Sequence, residues 1–418
     1  MIGRARRVVD LASGRFTPFL DAGWTEQEHR LLAAWRAGAS LEGAAGSLAA
    51  RLAESFGDRA TVTLTSSGRS AIRLALESLD LPPGSGVALP SYACTGVIAP
   101  VIAAGLRPVY ADVTEDLNVD VQTVAELADD VRAVILPHLG GRYADGTREI
   151  IAWAGERGIA LVEDHAQSMG LDLVAAQRDV PRIVVGSVGP GKPLFGPAGG
   201  FIATTDSGIA ERVSARELAK ELPAVAEARL EAFVDRYVRP LRARGRDAAR
   251  AFVRDRIGFA PRTIAAPPPD PQPHTPSELE ASLALLALDR LPAQIDARRR
   301  NGNRWRGLLA ASGHGGLRLA SAEGNTHLKL WCRGETEAGR ALAAQLRQTL
   351  ARHGVETEPL YTPLHLRPGF PEASGDVLAM TERVWRGVYS LPCRASLTDD
   401  DWRRIEAALE TSASRARR

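Results

Sequence analysis

Cysteine is scarce: Cys94, Cys332 and Cys393 are the only three in 418 residues. An odd and widely separated set excludes a disulfide framework and a cysteine-based zinc cluster. A reducing cytoplasm is the expected compartment, and no metal is expected. An excess of charge of one sign is also lacking. The 52 basic and 50 acidic side chains nearly cancel, so no basic face for nucleic acid is indicated. The Arg-rich stretch from Ser414 to Arg418 reads as a solvated tail. Long apolar runs are missing as well. None approaches the ~18–20 residues that cross a bilayer, and Arg4, Arg6 and Arg7 lead into mixed sequence rather than the apolar segment of a signal peptide. No internal repeat is present.

What is present is an ordinary globular composition, 45% hydrophobic and 24% charged, long enough for a large domain and a smaller one. Short β-rich runs alternate with helical patterns between about Ala60 and Asp206. The runs are Thr61–Thr65, Gly86–Pro90, Pro108–Val113, Ala133–Pro137, Ala160–Glu163, Arg182–Gly186 and Gly200–Thr205. Helical patterns cover Ser70–Leu79, Ala93–Ala104, Val121–Ala128 and Glu149–Arg157. Apolar strands separated by helices predict an α/β fold, with a mostly parallel seven-stranded sheet covered on both faces. Ligands of such sheets sit at the carboxyl ends of the strands. A charged helical excursion follows from about Ile209 to Phe259, then a proline-rich connector, Ala265–Pro276. Ser277, with Glu280 in the capping position, opens a long helix to about Leu309. Strand His327–Cys332 and helices Thr336–Arg352 and Asp399–Glu410 read as a small α+β domain. The expected division is 1–272, a large cofactor-binding domain, and 273–418, a small C-terminal one.

Three clusters carry chemistry, and each follows a strand. Gly186 to Lys192 has the spacing of a phosphate-binding P-loop, but that loop needs Ser or Thr after the lysine and a helix to follow. Pro193 follows here, and the chain runs through Gly196, Pro197, Gly199 and Gly200 toward another strand. The second cluster, Leu161 to Gln167, sends Asp164 from the end of an apolar strand. Asp164 is either a helix cap or the partner of a protonated pyridine nitrogen. The third, Thr65 to Ser70, is a strand-to-helix turn that either caps itself or holds phosphate on its backbone amides. Together they suit pyridoxal phosphate, whose lysine must shed its proton to act as a nucleophile.

In order and spacing, several stretches resemble the DegT/StrS family of sugar aminotransferases, from about Leu48 to Leu409. They are Ser67–Ala71, Leu89–Tyr92, Ala104–Asp112, Leu136–Gly140, Glu163–Gln167, Ser187 with Lys192, Gly199–Gly200, Tyr361–His365 and Leu391–Pro392. The resemblance implies a fold-type-I pyridoxal-phosphate aminotransferase and a homodimer. It implies that Lys192 forms the Schiff base and shuttles the proton, Asp164 pairs with the ring nitrogen, and Gln167 reaches the phenolic oxygen. Ser187 with Ser67, Gly68 and Arg69 would bind phosphate. Tyr92 is the nearest aromatic to stack on the ring, although the family's aromatic often stands two positions later, at Cys94 here. His138, Tyr361 and His365 are candidates for substrate contact. Pro193 and Ala198 depart from the family's usual Asn and Glu, and its Gly-x-Asn-x-Arg stretch is not evident. The implied activity is transfer of an amino group from glutamate or glutamine to a keto sugar, nucleotide-linked sugar or cyclitol. Two alternatives remain: other pyridoxal chemistry (elimination, deoxygenation or carbon–carbon bond chemistry) or a non-catalytic regulatory homologue.

Overall fold

The computed structural model describes residues 16–20, 23–57, 59–144, 146–171, 183–216, 218–239, 273–320, 324–359, 361–372 and 378–416. Two helices, α1 (Glu26–Arg36) and α2 (Ala44–Glu54), precede the main sheet. Its seven strands are β1 (Thr61–Thr65), β2 (Gly86–Pro90), β3 (Arg107–Ala111), β4 (Val131–Pro137), β5 (Ala160–Asp164), β6 (Ile183–Ser187) and β7 (Gly200–Thr204). They lie in the order β1-β7-β6-β5-β4-β2-β3. Strands β2 to β6 pair in parallel, while β7 runs antiparallel to both β6 and β1.

Helices α3 (Gly68–Ser78), α4 (Ile98–Ala103), α5 (Val121–Ala125) and α6 (Thr147–Arg157) connect these strands. Side chains of a strand alternate between faces, and both faces are buried here. Ala133, Ile135, Val162, Val185 and Ile202 pack with α3 and α4. Their neighbours Val134 and Leu136 pack with α6, and Val184, Phe201 and Ala203 pack with α2. The carboxyl ends of β2 to β6 therefore open at one edge, where the three clusters lie.

The excursion is described in part: α7 (Ser207–Ser214), α8 (Pro223–Phe233) and a turn of π-helix at Val234–Val238. Strand β8 (Ala219–Lys220) pairs with β9 (His274–Thr275). Residues 240–272, with most of the proline-rich connector, lie outside the described residues. Helix α9 (Glu278–Ala311) starts where expected, and its capping box joins Ser277 and Glu280 reciprocally. At 34 residues it is about 50 Å long, and it serves two cores. Its first half buries Ala284, Leu291 and Ile295 beside α2 and β7. Its second half buries Trp305 and Leu309 against a second sheet. That sheet has the order β10-β11-β13-β12, formed by β10 (Leu317–Leu319), β11 (Leu330–Gly334), β12 (Glu358–Pro359) and β13 (Tyr389–Leu391). Helices α10 (Glu337–Arg352), α11 (Ala379–Val384) and α12 (Asp399–Ala416) complete it. Fully buried Trp305 donates its indole N–H to the Pro392 carbonyl at 2.8 Å, tying α9 to the end of β13. Among the described residues no helix is long and apolar enough to cross a membrane.

Strand β11 begins at Leu330 rather than His327. The preceding residues are drawn instead to the turn after β4: Thr326 N–H donates to the Gly141 carbonyl and Lys329 N–H to that of Gly140. Helix α4 is shorter than the predicted Ala93–Ala104, because a 3-10 turn at Thr95–Val97 comes first.

Candidate active site

Lys192 sits in a tight turn between β6 and β7. Its N–H donates to the Gly189 carbonyl, the Gly189 N–H to Leu194, and the Val188 N–H to Gly199. No helix follows, so the P-loop likeness ends at spacing. The lysine lines a cavity of about 320 Å³ together with Cys94, Gln167 and Tyr361. Phe19, Leu20, Phe195 and Tyr237 give the cavity an apolar and aromatic side; Arg298, Lys329, Glu358 and Arg394 bring charge.

The turn at the start of α3 is built for close approach. Ser67 caps the helix by accepting from the Ser70 N–H at 3.1 Å, and Ser66 and Ser67 both share the Ser70 hydroxyl. A Cβ on Gly68 would lie 2.8 Å from the Ser187 Cβ, and one on Gly200 would lie 2.3 Å from the Ser67 carbonyl. Only glycine at both positions lets β6, β7 and the helix start converge. The Ser187 hydroxyl consequently stands at the positive end of α3. Arg69 lies along Gly96, two residues beyond Cys94.

Asp164 ends β5, level with Val185 of the parallel neighbour β6, and its Oδ1 accepts from the Ala166 N–H at 2.9 Å. Gln167 is 6% exposed and held at both ends of its amide. Its Oε1 accepts from the Gly140 N–H at 2.9 Å, and its Nε2 donates to the Tyr361 hydroxyl at 2.7 Å. Burial first, then the nearby Cys94, Glu358 and Asp164, push the Tyr361 phenol well above its ordinary pKa, against the opposite pull of Gln167. Tyr361 thus stays protonated at working pH and can donate a hydrogen bond but not serve as a base.

Of the residues expected from sequence, Lys192, Gln167 and Tyr361 line the cavity. Ser67, Gly68, Arg69 and Ser187 gather at the start of α3, and Asp164 lies close enough for its charge to act on the Tyr361 hydroxyl. Tyr92, His138 and His365 are not on the cavity wall. Tyr92 is fully buried, its ring 5.9 Å from that of Tyr361, and Cys94 and Tyr361 line the wall instead. His138 is fully buried and bonded to Glu163 at 3.1 Å. His365 bridges Ser91, at 2.5 Å, and Glu382, at 3.3 Å.

His138, Glu163 and His165 form a buried cluster with metal-ligand chemistry. However, His138 Nδ1 accepts from the Ala144 N–H at 3.2 Å, which places its proton on Nε2, facing Glu163. A cation would have to displace that proton, so the cluster is read as a hydrogen-bond network. Lys329, Glu358, Arg298 and Arg394 were not anticipated. Arg298 resembles its neighbours Arg299 and Arg300 in sequence, and only the packing of α9 singles it out as buried.

Residues 26–233 and 275–410 match the profile of the DegT/DnrJ/EryC1/StrS aminotransferase family. The chain is 25% identical over 348 residues to GDP-perosamine synthase of Caulobacter vibrioides, covering 82% of this chain and 83% of that protein. It is 31% identical over 155 residues to L-glutamine:2-deoxy-scyllo-inosose aminotransferase of Streptomyces kanamyceticus, a match that spans 35% of each. The solved structure of ntda from Bacillus subtilis, with bound cofactor pmp, superposes with a TM-score of 0.71 at 19% identity, covering 96% of this chain and 85% of that one.

Proposed function

This chain belongs to the DegT/DnrJ/EryC1/StrS aminotransferase family, and on that premise we propose that it transfers an amino group from glutamate or glutamine to a keto group of a sugar, nucleotide-linked sugar or cyclitol. The observation that carries the reading is the meeting of Lys192, Gln167 and Tyr361 on one cavity, beside a glycine cradle at the start of α3.

The residues fit pyridoxal 5′-phosphate. Gly68 leaves room for the Ser187 hydroxyl at a helix start, which suits a phosphate. Asp164 suits a protonated ring nitrogen, and Gln167 suits the phenolic oxygen. When bound, the cofactor supplies an electron sink that lets an amino group pass between carbon skeletons. Lys192 Nζ would hold it and would take up and return the proton of the substrate carbon. The Asp164 carboxylate would keep the ring-nitrogen proton in place. The Tyr361 oxygen accepts from Gln167 Nε2 and holds that amide in register, which leaves the phenol proton to donate to a bound substrate. Phe19, Leu20 and Phe195 exclude water from that exchange. We read residues 1–272 as the cofactor-binding domain, 273–418 as the small domain, and the assembly as a cytoplasmic homodimer; light scattering on the purified protein checks the dimer.

The test is spectral. L-Glutamate added to the yellow holoenzyme is expected to bleach the lysine-bound absorbance and release 2-oxoglutarate in equal amount. Release of ammonia without bleaching, or normal transamination by Lys192→Ala, would contradict the reading.

A further inference from the structure

The small sheet delivers a second lysine to the cavity. Lys329, just before β11, pairs with Glu358 of β12 at 2.5 Å, and both line the wall that Lys192 also reaches. The pair is held from several sides. The Lys329 N–H donates to the Gly140 carbonyl at 3.0 Å, at the same turn whose N–H holds Gln167. The Lys329 ammonium stands 5.3 Å from the centre of the Tyr361 ring.

We propose that Lys329 and Glu358 form the part of the cavity that selects the acceptor, reading adjacent hydroxyls on a neutral hydroxylated ring ketone. This rests on the aminotransferase reading and deepens it. The Lys329 side chain is 11% exposed and that of Glu358 33%, so both ions give up much of their hydration. A partly buried ion pair seldom stabilises a fold more than an apolar pair of similar size, so stability gives little reason for one on this wall. Charge decides what the pair can bind. Each ion cancels the other, so a free anion meets Glu358 and a free cation meets Lys329. What remains are ammonium N–H donors next to carboxylate lone pairs. A hydroxyl both donates and accepts, and two neighbouring hydroxyls match that pair of partners. On the same cavity Phe19, Phe195 and Tyr237 offer apolar faces suited to the C–H face of a ring. Arg298, on the same cavity, supplies positive charge suited to the donor's carboxylate. The two substrates are then distinguished by different residues of the cavity.

The experiment separates the two half-reactions. Holoenzyme is converted to its amino form with L-glutamate, freed of donor, and reoxidised with either scyllo-inosose, a keto cyclitol, or 2-oxoglutarate. Lys329→Met and Glu358→Gln are each expected to raise the concentration of scyllo-inosose for half-maximal reoxidation by about ten-fold or more. They are expected to leave the 2-oxoglutarate dependence within about two-fold and the visible spectrum of the resting enzyme unchanged. An unchanged scyllo-inosose dependence overturns the proposal. So does an equal shift for both ketones, which marks a brace, or a selective shift for 2-oxoglutarate, which marks a carboxylate reader. Wild-type enzyme that 2-oxoglutarate reoxidises and scyllo-inosose does not also overturns it. Failure of both L-glutamate and L-glutamine to bleach the enzyme is a different result, and removes the aminotransferase reading itself. Should Lys329→Met fail to fold, Lys329→Arg keeps the charge while altering donor geometry, and carries the same test.

Discussion

His327 holds a left-handed backbone with φ +50°, and its fully buried ring rests against Gly302 of α9. Burial, then the charges of Arg306 and Arg299, lower its pKa from 6.5 to about 4. Between those values the unfolded chain binds a proton that the native protein refuses. Stability is therefore full above pH 6.5 and falls as pH drops toward 4. By pH 5 the loss from this residue is about 2 kcal/mol. Denaturant titrations at pH 7.5 and pH 5 are expected to show that loss in the wild type and a smaller one in His327→Gln; equal losses would contradict the assignment. Nothing in the sequence around His327 signals this, because Arg299 and Arg306 reach it through folding. The same holds for His138 and His365. The resemblance implied substrate contact for them, and nothing in the sequence signals the partners they have in the fold, Glu163 for one and Ser91 for the other. That Lys192 and Gln167 share one cavity was within reach of the sequence, because each stands in a short motif just after a strand of the main sheet.

At the scale of elements, the glycines of the Lys192 loop explain why a P-loop spacing appears in a chain that lacks the P-loop fold. Gly186 gives room to the Phe201 ring of β7, Gly68 to Ser187, and Gly200 to the backbone of Ser67. Of these three only Gly186 belongs to the Gly186–Lys192 spacing, where it serves strand packing, while Gly191 takes a φ of +73° in the turn before Lys192. Gly200→Ala is expected to cost about 1–3 kcal/mol through overpacking. It should also weaken cofactor retention, since the intruding methyl meets the Ser67 carbonyl and the Gly68 amide. Thermal melting with and without added pyridoxal phosphate checks this; a variant as stable as wild type that retains cofactor equally would refute the convergence argument. The seven long-sheet strands were readable from apolar runs, with ends displaced by two residues at most. Of the second sheet only β11 was. Strands as short as Leu317–Leu319 and Glu358–Pro359 carry too few residues for a pattern, and partners distant in sequence decide where they pair.

Across the whole molecule, α9 joins two cores that the sequence reading could name only as two domains. Its first half belongs to the main sheet and its second to the small one. The cavity lies where elements of both meet. Strand ends of the main sheet bring Lys192, Gln167 and Asp164, while the small sheet brings Lys329 and Glu358, and Tyr361 follows β12. The cavity residues of the first half stand in local motifs, whereas Lys329 and Glu358 are scattered charges in the sequence until the small sheet folds. One measurement bears on the central claim most directly. Reduction of the holoenzyme with borohydride, followed by peptide mapping, is expected to place the pyridoxyl mass on the peptide containing Lys192. Label on Lys329, the other lysine of the cavity, or on no lysine at all, would contradict the account.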